Sequence, residues 1–300
     1  MTQTVARGPS TRNIRRSSGF GWSLLLLAGL LVLNGLLGPL LIGVVDYPIT
    51  ASMTNQLLGL EAVTLVLVVP WMGIAGALAI RHDPRAPLLA LGPTSYTAYM
   101  FVQYVVGPEY RSYSWLVLFH VVIFALAGGL TLTAWSRAQD ESAPPLNMRQ
   151  RRRISVVLLA LAGFVLLRYL PAFVGAASSD PIAAEFRDAR TFFWSIVLLD
   201  LGVVVPVTVA SAVALLRRSN AGQRALYGVV GWFALVPPSV TAMAVVMFAR
   251  DDPHASVPTL LLLCIATAVF WVAAFSVLAR LFAGDGGAAS SPGVERPRVR

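Results

Sequence analysis

The chain of 300 residues has no lysine, one cysteine and three histidines, and only 12% of it is charged. A soluble domain carries roughly 25% charged residues. Half that supply cannot cover a water-facing surface, which excludes a soluble enzyme. A hydrophobic content of 57% excludes a disordered chain. The lone Cys264 leaves no internal disulfide, no disulfide-stapled secreted scaffold and no cysteine zinc site. The sequence also lacks a P-loop, a His-Glu-x-x-His, a Gly-x-Ser-x-Gly and a dinucleotide fingerprint. What remains is an all-α, polytopic membrane helix bundle with no cofactor or metal signature.

The net charge of +9 is carried by arginine alone. An arginine-only, Ala/Gly-rich chain points to a GC-rich bacterial genome. The arginines sit between apolar runs rather than along one soluble face, so nucleic acid is not an expected partner.

About 20 apolar residues cross a bilayer as a helix. Eight runs meet that length: Phe20 to Gly43, Leu57 to Ile80, Ala86 to Gly107, Tyr113 to Trp135, Ile154 to Gly175, Phe192 to Leu216, Ala225 to Ala249 and Val257 to Phe282. The expected organisation is a tail over 1–19, a transmembrane domain over 20–282 and a disordered Gly/Ala/Ser/Pro tail over 283–300. With the N-terminus inside, eighteen arginines fall on inside segments, and only Arg111, Arg187, Arg190 and Arg250 fall outside. That positive-inside bias predicts a plasma-membrane protein with both termini cytoplasmic. Tyr47, Tyr110, Tyr113, Trp115 and Trp194 fit an outer aromatic belt, and Trp22, Trp135 and Tyr227 an inner one. In the longest inside connection, Arg149, Arg151, Arg152 and Arg153 read as an anchor on anionic lipid. Asp180-Pro181, outside, reads as a helix start.

The spacing also fits an internal duplication of 20–135 onto 154–282. Val68-Val69-Pro70 leads to Arg81 as Val204-Val205-Pro206 leads to Arg217, an offset of 136. Arg85 and Arg111 frame the third run as Arg224 and Arg250 frame the seventh, an offset of 139. Four spans per half would give two halves of equal orientation about an axis along the membrane normal.

Polar groups within hydrocarbon are costly and ask for a partner or a cavity. Asn34, Glu61, Tyr99, Gln103, His120, Arg168 and Asp200 all lie roughly 21 to 30 Å from the inner edge, counting ~1.5 Å per residue. Arg168 either snorkels to the outer interface or pairs with Asp200 on the next span. Glu61 is either a wet interfacial carboxylate or part of the same face. His120 is a hydrogen-bond donor to a neighbouring helix or, less simply, a ligand. Tyr96, Tyr99, Gln103 and Tyr104 form a seam or a cavity lining on the third span. Pro70, Pro206 and Pro237-Pro238 break spans near mid-depth, freeing backbone carbonyls. Gly73 to Ala77 and Ala127 to Gly129 read as close helix packing.

The segment Tyr99 to Tyr110, YMFVQYVVGPEY, resembles the third span of a group of bacterial multi-span membrane proteins with no assigned activity. The resemblance implies a polytopic bacterial membrane protein and no chemistry. Three functions stay open at this point. A transporter-like or small-solute-binding protein would use an outward-opening polar pocket built by spans one to six. A membrane-embedded enzyme acting on a lipid or polyprenyl substrate would need His120 beside Asp200 or Glu61. A non-catalytic accessory subunit would be a closed, filled bundle.

Overall fold

A computed structural model describes residues 11–43, 47–108, 115–138, 143–176, 182, 186–187 and 189–283. All regular structure among them is helical. Helix α1 runs Thr11–Leu37, α2 Ala51–Val63, α3 Val69–Ile80, α4 Ala86–Val106, α5 Trp115–Arg137, α6 Met148–Arg168 and α7 Leu170–Ala176. Then follow α8 Arg190–Leu199, α9 Val205–Leu216, α10 Asn220–Ala249 and α11 Val257–Leu278. Short π segments, Thr64–Val68 and Asp200–Val204, fuse α2 to α3 and α8 to α9.

Seven of the resulting rods are long and apolar enough to cross a membrane: Ser18–Leu37, Ala51–Ile80, Trp115–Arg137, Met148–Gly175, Arg190–Leu216, Asn220–Ala249 and Val257–Leu281. The chain is a polytopic membrane protein. The eighth helix, α4, is 21 residues long and is not among the seven. It carries Thr, Ser, Tyr and Gln and is buried along most of its length against α3, α5, α8 and α10. A helix enclosed by other helices need not match the apolarity of lipid. Lipid-facing positions obey the opposite rule: Leu132, Val272 and Phe275 are each more than 60% exposed.

Helix starts differ from the apolar edges because capping, not hydropathy, decides where a helix begins. Thr50 accepts the Met53 N–H and starts α2 at Ala51, six residues before the expected Leu57. Asn147 and Gln150 form a capping box that starts α6 at Met148 rather than Ile154. Helix α1 reaches back to Thr11, ahead of the candidate span that starts at Ser18, and it ends at Leu37 instead of Gly43. Pro237 and Pro238 lie inside a continuous α10 and do not break it. Of the expected features, Tyr110, Tyr113, Asp180-Pro181 and residues 284–300 lie outside the described residues.

Two stretches repeat each other's geometry 136 residues apart. In each, a π segment leads into Val-Pro and a 12-residue helix, α3 or α9. Each helix is closed by a left-handed residue, His82 at φ 60° and Arg218 at φ 58°. The next N–H then reaches back into the helix, Asp83 to the Leu78 carbonyl at 2.9 Å and Ser219 to the Ala214 carbonyl at 3.0 Å.

Between them, α4 and α10 cross at Gly92 and Gly231, 139 residues apart, so closely that a Cβ on Gly92 would lie 2.8 Å from the Gly231 Cα. Of the other small-residue stretches, Gly76 packs against Gly21 and Leu25, whereas Gly128 and Gly129 face open space.

The arginine-rich end is tied by matching contacts. Arg85 donates to the Leu281 carbonyl at 3.4 Å and lies over the Phe282 ring; Arg224 donates to the Ala138 carbonyl at 3.2 Å and lies over Trp135. Arg151 turns inward to the Leu146 carbonyl and the Gln223 side chain. It is therefore structural, unlike its exposed neighbours Arg152 and Arg153.

Candidate functional site

The polar side chains near the opposite end, here the far end, form two clusters rather than one layer. The first joins α1, α2, α4 and α5. His120, fully buried, lies with Nε2 3.1 Å from Asn34 Oδ1 and 3.4 Å from the Tyr47 hydroxyl. Its ring is boxed by Tyr47, Phe101, Tyr104 and Phe119. Glu61 is 1% exposed; its Oε2 accepts the Leu40 N–H at 3.3 Å, and Oε1 has no hydrogen-bond partner among the described residues. Beside it lies a chamber of about 10 Å³ lined by Asn34, Glu61, Tyr96 and Tyr104. That space holds about one water-sized group and no substrate.

The second cluster centres on Asp200, 3% exposed at the start of the second π segment. Tyr99 donates to its Oδ1 and Tyr169 to its Oδ2, both at 2.6 Å. Arg168 approaches Oδ2 only to 3.8 Å and lies over the Tyr169 ring at 5.6 Å. Its side chain is 47% exposed. Both alternatives for Arg168 therefore meet in one geometry: the guanidinium reaches outward while staying within range of the carboxylate. Two phenols, not the arginine, satisfy the buried charge. Sequence reasoning missed Tyr169. The signal was present, since it adjoins Arg168 at the depth of Asp200.

Between the clusters lies a cavity of about 200 Å³. Leu57, Met100, Ile196, Val240 and Met243 supply much of its wall, and Tyr47, His254 and Ser256 sit on far-end connections that border it. Gln103, Tyr99 and Arg168 contribute polar groups. Among the described residues Arg168 is the only Arg, Asp or Glu in the lining, and it donates no hydrogen bond to any of them. A half-exposed guanidinium with no hydrogen bond to a described residue keeps its donors for an anion, while the Asp200 carboxylate at 3.8 Å and solvent both weaken that attraction.

The expected pocket of spans one to six is corrected on two counts. Helices α1 and α5 contribute nothing to this wall, while α10 and α11 do. Asn34, Glu61 and His120 also lie outside it; Tyr104 and Met100 stand between the cavity and the Glu61 chamber. On the other side Tyr99, edge-on to Trp232 at 5.2 Å, separates the cavity from an apolar groove of about 280 Å³ that includes Val203, Val207 and Trp135.

His120 is bonded to an amide and a phenol, with no carboxylate among its described partners, so the acid/base pair expected for an enzyme is not assembled. Among the described residues no three His, Cys, Asp or Glu side chains group so as to hold a metal ion. No protein family, curated protein or solved structure matches this chain.

Proposed function

We propose that this chain is an eight-span bacterial plasma-membrane protein with both termini cytoplasmic. In this reading it binds a small anionic solute with an apolar body in an outward-opening cavity, in a transporter-like role. The observation that carries the reading is the 200 Å³ cavity whose apolar wall holds, among the described residues, one half-exposed guanidinium, Arg168, without a hydrogen bond to any of them.

Orientation follows from the arginine-rich end, which the positive-inside bias assigns to the cytoplasm, so that the cavity opens outside. Counting α4 as a span places every helix end consistently. The repeated π segment, Val-Pro and left-handed stop support two halves of four spans, with the Gly92–Gly231 crossing near their axis. Paired halves around a central site are the architecture of many secondary transporters.

The test is metabolite and lipid profiling of a deletion strain complemented with wild type, Arg168→Gln or Ala244→Trp, the last filling the cavity while keeping the charge. The reading expects wild type alone to restore the profile. Restoration by both variants would end it.

A further inference from the structure

A second recess lies at the arginine-rich end, well away from the cavity just described. Helices α6 and α11 flank a groove there of about 320 Å³, backed by α10. Phe270 on α11 stacks on Phe233 at 5.5 Å, and this pair roofs the groove; Phe164 on α6 meets Phe270 at 6.1 Å. Below the roof the walls are Val157, Leu158, Leu161, Val230 and Val277. At the mouth stand Arg153, Arg280 and Gln150. From Phe270 to Arg280 the drop is about 15 Å at ~1.5 Å per residue, so the roof lies at acyl-chain depth and the arginines at the interface.

Two of the three polar groups are partly committed. Gln150 Oε1 accepts the Asn147 N–H, which turns the amide oxygen to the cap and leaves its Nε2 as a donor. Arg280 donates from Nε to the Ser276 carbonyl at 3.2 Å, which orients its guanidinium while leaving both terminal nitrogens. Arg153 is exposed. Among the described residues no acidic side chain lines the groove. In the other half the corresponding helices α1 and α5 pack on each other, and Arg137 lies over Phe20.

We infer that this groove is a binding site for one anionic phospholipid of the adjacent leaflet, its phosphate held between Arg153 and Arg280 and one acyl chain lying under the Phe233–Phe270 roof. The occupant follows from charge and shape together. A bilayer fills an apolar recess with chain, and two guanidiniums at headgroup depth select a phosphate with net negative charge. The site is narrower than a general basic anchor, since it excludes the inward-turned Arg151.

The test is native mass spectrometry of the full-length protein taken from vesicles of equal parts phosphatidylglycerol and phosphatidylcholine. Wild type should retain one phosphatidylglycerol preferentially. R153Q/R280Q should weaken that retention about tenfold or more, at ~1 kcal/mol for each arginine near the surface. Ala273→Trp, which fills the groove and keeps both charges, should remove it as well. R149Q/R152Q should leave it intact. Equal loss in R149Q/R152Q would mean diffuse surface attraction. Equal retention of phosphatidylcholine would mean an apolar slot without headgroup selection. Either result overturns the inference, as does undiminished retention in A273W.

Discussion

Tyr99 donates its hydroxyl to Asp200 across 2.6 Å while its ring forms the partition between the far-end cavity and the apolar groove beside Trp232. One residue thus satisfies a buried charge and closes a wall. Tyr99→Phe keeps the wall but leaves Oδ1 without its phenol. It should destabilise the protein by about 1–3 kcal/mol, the cost of a lost bond to a charged group. A double-mutant cycle of Y99F with D200N, read by thermal unfolding in detergent, should give a coupling of about 1 kcal/mol or more. Additive effects would mean that the contact stabilises nothing.

Glu61 presents the opposite case. Its carboxyl is buried with one oxygen bonded to the Leu40 N–H and one without a partner. No arginine approaches it in the described structure. Glu61→Gln keeps an acceptor for Leu40 and supplies donors to the chamber shared with Asn34 and Tyr104. Its thermal midpoint should equal or exceed that of wild type. A clear fall in midpoint would show that the ionised carboxylate is stabilised by a further partner.

The Gly92–Gly231 crossing admits no side chain. Alanine at Gly231 would place Cβ 2.6 Å from the Gly92 Cα, and backbone cannot step aside cheaply. Gly231→Ala should cost about 1–3 kcal/mol by overpacking. Gly128→Ala, in open space on α5, should be neutral or stabilise by up to ~1 kcal/mol through helix propensity. Comparable losses at both sites would deny the close crossing.

At the far end Asp252 latches the turn after α10 to α2. Burial pushes its carboxyl up, but the Asn55 amide at 2.8 Å, the His254 N–H at 3.0 Å and the Ser52 hydroxyl at 3.3 Å together hold it below the usual carboxylate range. A depressed carboxyl stabilises the fold fully above its ordinary value near ~3.9, and that contribution is lost as pH falls through the lower native value. The stability gap between wild type and Asp252→Ala should therefore shrink as pH drops from about 5 toward 3. A constant gap would place the stabilisation elsewhere.

Much of this bundle was legible in the sequence, and the exceptions share a cause. Apolar length located the membrane helices, because nothing else explains runs such as Leu24 to Leu33. Helix ends escaped it, since Thr50 and Asn147 act through single hydrogen bonds that hydropathy cannot see. Depth counting brought Tyr99, Arg168 and Asp200 to one level, and the structure joins them. Depth carries no azimuth, however. It could not tell that Asn34 and His120 face α1 and α5 on one side of Tyr104, while Gln103 faces the cavity on the other. Tyr169 went unnamed because its bond to Asp200, 31 residues on, depends on how the end of α6 packs against the second π segment. Asp252 and Asn55, 197 residues apart, meet only once α2 and α10 pack.

The most direct test of the central claim is the charge selectivity of the cavity. In a Cys264→Ser background, Ala244→Cys places a thiol on the cavity wall, and the native Cys264 is exposed on the bundle surface. Intact cells or spheroplasts are treated with membrane-impermeant thiosulfonates, one anionic and one cationic, and labelling rates are compared. A water-accessible outer cavity governed by Arg168 predicts labelling from outside, faster with the anionic reagent, and loss of that preference in Arg168→Gln. No labelling from outside, or a preference unchanged by Arg168→Gln, would contradict it.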